Sequence, residues 1–158
     1  MANARESMMH PMEGFPFVHE LRVRFADLDC RGHVNNAVYS SYIEDARLQW
    51  YGATGEPEPT QYAVDMVLAR TEIDFRGELR DVGETVRVGV RVGRIGTRSV
   101  TLEYRVCAGD RVVAEATSVL VGFDYERGVS APIPDRWLRR LSQPPARRPP
   151  STSAAPRA

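Results

Sequence analysis

Lysine is absent from this chain of 158 residues: all 21 basic side chains are arginine. Chemistry that needs a primary amine is therefore excluded, including Schiff bases, the lysine of phosphate loops and serine-lysine dyads. Cysteine is scarce, with only Cys30 and Cys107. Two thiols make neither a disulfide framework nor a paired metal-ligand pattern, and they suit a reducing compartment. No apolar run reaches the ~18 residues of a membrane span, and the first residues lack the apolar stretch of an export signal. The sequence thus predicts a cytoplasmic protein without a membrane partner. Excess charge is missing as well, since 21 acidic residues balance the arginines, so no basic footprint for nucleic acid is expected.

What is present suffices for one core: 42% of the residues are hydrophobic, and the length fits a single domain. Residues 1–14 lack periodicity and read as a disordered N-terminal segment, 15–141 as the domain, and 142–158 as a disordered tail rich in proline and arginine. From Phe15 to Phe25 partial alternation predicts a strand. The spacing of Tyr39, Tyr42, Ile43, Ala46 and Trp50 then gives one face of a helix over Ala37 to Tyr51, capped by Asn35 or Asn36 and stopped by Gly52 and Gly55. Glu56 to Pro59 reads as a loop, and Gln61 to Leu68 as an irregular strand or a short helix.

Strict alternation returns at Thr71–Phe75, Val86–Val92 and Val100–Val106, and Arg111 to Asp124 supplies another strand. Turn chemistry at Gly93–Thr97 and Ala108–Asp110 joins these as antiparallel hairpins. Pro134-Asp135 opens a last short helix through Arg140. One good helix beside many antiparallel strands makes an α+β domain with that helix packed on a curved sheet. A single helix leaves sheet surface or a strand edge open, which predicts self-association.

Chemistry concentrates where the first strand meets the helix, in Arg24-Phe25-Ala26-Asp27-Leu28-Asp29-Cys30-Arg31-Gly32-His33-Val34-Asn35-Asn36-Ala37-Val38-Tyr39. Two acids, a histidine, a glycine and two asparagines adjoin backbone amides that lack helical partners and favour negative charge. A carboxylate beside such an oxyanion site points to acyl transfer. Asp27 reads first as a loop-shaping acceptor that supports Asp29. For His33 the structural role, holding the turn by a hydrogen bond, outweighs orienting water or moving a proton. Cys30 reads as a small residue at a turn before a nucleophile, and Glu44 as an ion-pair partner of Arg47. Tyr39, Tyr42 and Trp50 read as core before acyl pocket. Asp27, Asp29 and His33 lack the further ligand that a metal site requires, so no metal is expected.

The run from Asp27 to Asn36, followed by Tyr39, Tyr42, Glu44, Ala46 and Arg47, resembles the 4-hydroxybenzoyl-CoA thioesterase family of hotdog-fold proteins, over roughly residues 16 to 140. The resemblance implies an antiparallel sheet wrapped around one long helix. It also implies a homodimer or homotetramer with active sites at the dimer interface, and hydrolysis of an acyl-CoA thioester to an acid and free coenzyme A. No cofactor beyond the coenzyme A of the substrate is implied. By this likeness Asp29 is the catalytic acid and Asn36 offers its backbone N–H to the thioester oxygen, with His33 as a third catalytic candidate. Gly32, Val34, Asn35 and Tyr39 are then expected to contact substrate. Plant acyl-carrier-protein thioesterases resemble the motif too, through Asp-x-Asn-x-His, but Arg31 occupies the middle position here. Two other functions compete: a hotdog hydratase or dehydratase using Asp29 with His33, and a non-catalytic module that binds acyl thioesters.

Overall fold

The computed structural model describes residues 11–54 and 65–142. Strand β1 (Phe17–Arg22) leads through one 3-10 turn, Phe25–Asp27, to helix α1 (Asn36–Ala53). Strands β2 (Met66–Phe75), β3 (Thr85–Ile95), β4 (Ser99–Ala108) and β5 (Arg111–Asp124) follow, then a two-residue β6 (Val129–Ser130) and helix α2 (Asp135–Leu141). The main sheet is antiparallel in the order β1-β3-β4-β5-β2, with β6 paired to β5. One long helix lying on such a sheet is the hotdog architecture.

Alternation explains the layers. Val86, Val88 and Val90 of β3 and Val100, Leu102, Tyr104 and Val106 of β4 point to one side and are buried. The face of α1 that carries Tyr39, Tyr42, Ile43, Ala46 and Trp50 closes over them, packing on β1 and β3. At ~25 cal/mol per Å² of apolar surface, these side chains contribute about 1.5–3 kcal/mol each and dominate the stability of the sandwich. Arg47 is buried with them and its guanidinium lies 3.7 Å from Glu44 Oε1, the expected ion pair.

Several boundaries differ from the sequence reading. The first strand ends at Arg22, because Phe25–Asp27 coils into the 3-10 turn and leaves the Phe25 ring 81% exposed. Gly52 does not stop the helix; α1 continues to Ala53 and Thr54 caps it, its hydroxyl donating to the Tyr51 carbonyl. Strand β3 continues past Gly93 to Ile95, with Gly93 and Arg94 together standing opposite Thr101, so that the strand bulges there. Residues 11–14, assigned from sequence to the N-terminal segment, form a turn with Met12 buried. Residues 1–10, 55–64 and 143–158 lie outside the described residues, and with them Gly55, the Glu56–Pro59 loop and the first part of Gln61–Leu68.

Edge strand β2 is exposed along most of its length, with Leu68 and Phe75 both open to solvent. No helix among the described residues is long and apolar enough to cross a membrane.

Candidate active site

Between β1 and α1 the chain folds back on itself through local hydrogen bonds. Leu28 and Val34 form an isolated antiparallel bridge. Inside it, the Asp29 N–H donates to the His33 carbonyl at 2.8 Å and the Gly32 N–H to the Asp29 carbonyl at 3.0 Å. Gly32 adopts φ +73°, a left-handed conformation that disfavours any side chain with a Cβ, and this makes the tight reversal possible. The loop is fixed to the body where the Val34 N–H donates to the Leu79 carbonyl, 2.8 Å.

This loop presents Asp29 partly exposed, in one particular way. Oδ1 accepts the Arg31 N–H at 2.8 Å and the His33 N–H at 3.2 Å. Oδ2 has no hydrogen-bond partner among the described residues. Because both backbone bonds favour the ionised form, those from Arg31 and then His33 hold the carboxyl below the ordinary aspartate value of 3.8. Asp29 is a carboxylate at any physiological pH.

Helix α1 begins at Asn36, a short way along the chain. Asn35 is its N-cap, the side chain accepting the Ala37 N–H at 2.9 Å and the carbonyl accepting the Val38 N–H at 2.9 Å. The Asn36 N–H is left over, with no partner among the described residues, and the first turn carries no acidic residue to neutralise the positive end of the helix dipole. This is the donor an oxyanion would need.

Asp27 does different work from Asp29. It is 2% exposed and accepts four hydrogen bonds, three from Arg24 and one from the Tyr42 hydroxyl at 2.7 Å. Burial alone would raise its pKa; the Arg24 and Tyr42 bonds together outweigh burial and hold it below the ordinary value. Tyr42 is pushed upward, by burial first and by Asp27 second.

The other expected site residues scatter by environment. His33 lies at the loop end with its Nε2 3.9 Å from Glu78 Oε2. Gly32 and Asn35 are exposed, whereas Val34 and Tyr39 are in the core, the Tyr39 ring meeting Phe75 edge-on at 5.1 Å. Glu78, paired with Arg80 at 2.8 Å, was not legible from sequence. It comes from the β2–β3 connection, and no motif ties it to His33. Among the described residues no set of three or more His, Cys, Asp or Glu side chains could hold a metal ion.

Residues 23–141 match the family model of the thioesterase-like superfamily. The chain belongs to that superfamily. A thioesterase from Thermus thermophilus, solved with coenzyme A and zinc, is 37% identical, with 82% of this chain and 94% of that one aligned at a TM-score of 0.74. A predicted thioesterase from Bacillus stearothermophilus is 26% identical over 84% of this chain and 98% of that one, TM-score 0.75. Both share the hotdog fold of this thioesterase-like chain. An uncharacterised protein of Bacillus subtilis, YsmA, is 27% identical over 90 residues, which are 57% of this chain. The chain spans 60% of that relative's length.

Proposed function

We propose that this chain is an acyl-CoA thioesterase, hydrolysing a thioester to a carboxylic acid and free coenzyme A. The observation that carries the reading is the presence, at one loop-helix junction, of an ionised Asp29 and the Asn36 N–H, the Asp29 Oδ2 and that N–H both lacking a hydrogen-bond partner among the described residues. Membership of the thioesterase-like superfamily and the coenzyme A bound to the Thermus thermophilus relative support the substrate class.

In this reading the thioester oxygen accepts the Asn36 N–H, and the positive end of α1 stabilises the charge that grows there. Asp29 attacks from the carboxylate side. Either Oδ2 bonds to the carbonyl carbon, expelling the thiolate and leaving an anhydride that water opens, or Oδ2 takes a proton from a water that attacks instead. Both begin from the ionised side chain, and the thiolate leaves without a strong acid. The two backbone bonds to Oδ1 fix the carboxylate plane, so little reorganisation remains for the transition state. His33 lies beside this carboxylate, where its backbone N–H orients Oδ1.

The exposed β2 edge supports an assembly in which two copies place their sheets edge to edge, with the active sites at the junction.

Thiol release from a panel of short, long, branched and aromatic acyl-CoA substrates tests the function. At least one should turn over. Asp29→Asn should reduce kcat by at least ~10³-fold with the folded circular-dichroism spectrum retained, while Cys30→Ser should retain turnover. Undiminished release by Asp29→Asn would remove the carboxylate from its role, and saturable binding without release from any substrate would leave a binding module instead.

A further inference from the structure

Asp27 is joined to three parts of the junction at once. Its carboxylate receives the Arg24 backbone N–H at 2.8 Å and the Arg24 guanidinium at 2.8 and 3.0 Å, which close the 3-10 turn that follows β1. The Tyr42 hydroxyl, 2.7 Å away, ties it to α1 about two turns beyond the helix start. Its carbonyl receives the Asn35 N–H at 2.9 Å, the N-cap residue itself. A helix held by its cap and by a side chain two turns further on can neither slide nor rotate against the loop without breaking one of these bonds. The Tyr42–Asp27 bond is buried whereas the Arg24 side chain is 71% exposed, so it is the Tyr42 bond that solvent cannot replace.

From this we infer that Asp27, acting through Tyr42 and Asn35, is a positioning residue that sets the Asn36 N–H relative to the Asp29 carboxylate. It touches no substrate. The inference rests on the roles proposed above for Asp29 and Asn36. Asp29 is attached to the same structure from the other side, since residue 28 pairs with residue 34 immediately before that cap. The chain between Arg24 and Tyr42 therefore works as a rigid frame with the nucleophile on one arm and the oxyanion donor on the other. A loosened frame displaces the donor from the developing charge more than it disturbs substrate binding, so the effect belongs in kcat and not in KM.

Tyr42→Phe is the decisive variant, because it deletes one hydroxyl and keeps the ring in the core. Steady-state kinetics should show kcat reduced about 10-fold with KM within twofold. Asp27→Asn, which replaces an acceptor by a donor facing other donors, should reduce kcat about 100-fold. Val100→Ala, a core change at the end of β4 opposite to the one aligned with the end of β1, serves as the stability control and should retain kcat per folded molecule. Amide hydrogen exchange gives a readout independent of turnover: in Tyr42→Phe, protection at the bonded amides of Asn35 and Val38 should fall at least 10-fold while the C-terminal turns of α1 keep theirs. Wild-type kcat in Tyr42→Phe, or a loss matched by Val100→Ala at equal stability, would overturn the positioning role. So would unchanged exchange at Asn35 and Val38, even if the chain hydrolysed no thioester. A wild-type chain inert on every substrate, with exchange altered as expected, would instead overturn the function proposed above and the catalytic purpose of the frame with it.

Discussion

Two aspartates separated by one residue stand in opposite environments. Asp27 is buried and saturated with donors, whereas Asp29 is partly exposed and bonded through one oxygen only. Their pKa values nevertheless move in the same direction, downward, with consequences that can be separated. In the proposed mechanism Asp29 acts as the carboxylate, the form present above the folded pKa. The acid limb of kcat/KM should therefore lie below pH 3.8, and a limb in the neutral range would overturn the role of this carboxylate. For Asp27 the unfolded side chain titrates near the ordinary value. Its stabilisation is complete above that point and is lost as pH falls through the lower folded value, so acid-unfolding curves of Asp27→Asn should be flatter below about pH 4 than those of the wild type. The helix start and its cap at Asn35 and Asn36 could be read from sequence because their contacts are local, between near neighbours in the chain. Glu78 beside His33, and Leu79 holding Val34, could not, because folding brings them from another loop.

At the scale of elements, period fixes what each segment becomes. The valines of β3 alternate with Arg87, Gly89 and Arg91, and alternation alone assigns the second set to solvent. In the structure Gly89 is buried, since Phe15 and Met12 lie over it. Arg91 and Arg105 stack on the Phe15 ring, 4.8 and 5.1 Å from its centroid, and Arg105 also donates to the Pro11 carbonyl. A Cβ at position 89 would stand 2.8 Å from the Phe15 Cβ and Cγ. Gly89→Ala should therefore displace this segment and cost about 1–3 kcal/mol, measurable as a lowered midpoint in urea. Turnover should persist, because the segment covers the face of the sheet opposite α1. The helix boundary at Gly52 failed as an expectation for a related reason. Glycine weakens a helix by about 1 kcal/mol, and the packing of Trp50 and Tyr51 beside it, with Tyr51 against Trp137 of α2, outweighs that loss.

For the whole molecule, the open question of the monomer is the β2 edge. Leu68 is 48% exposed on it and Phe75 45%, and an edge with unpaired backbone groups and apolar side chains favours pairing with another chain. Sedimentation should find a dimer or tetramer, and Leu68→Asp should shift it toward monomer with loss of thiol release if the sites lie at the junction. The sequence by itself determined the α+β class, the alternating strands, the amphipathic helix and the motif at its start, because each depends on periodicity or on contacts between near neighbours in the chain. Only the tertiary structure decided which acid is buried and which is free, what covers Gly89, and what stands beside His33. Those outcomes depend on how distant segments share limited space and hydrogen-bond partners, and no local pattern encodes that competition.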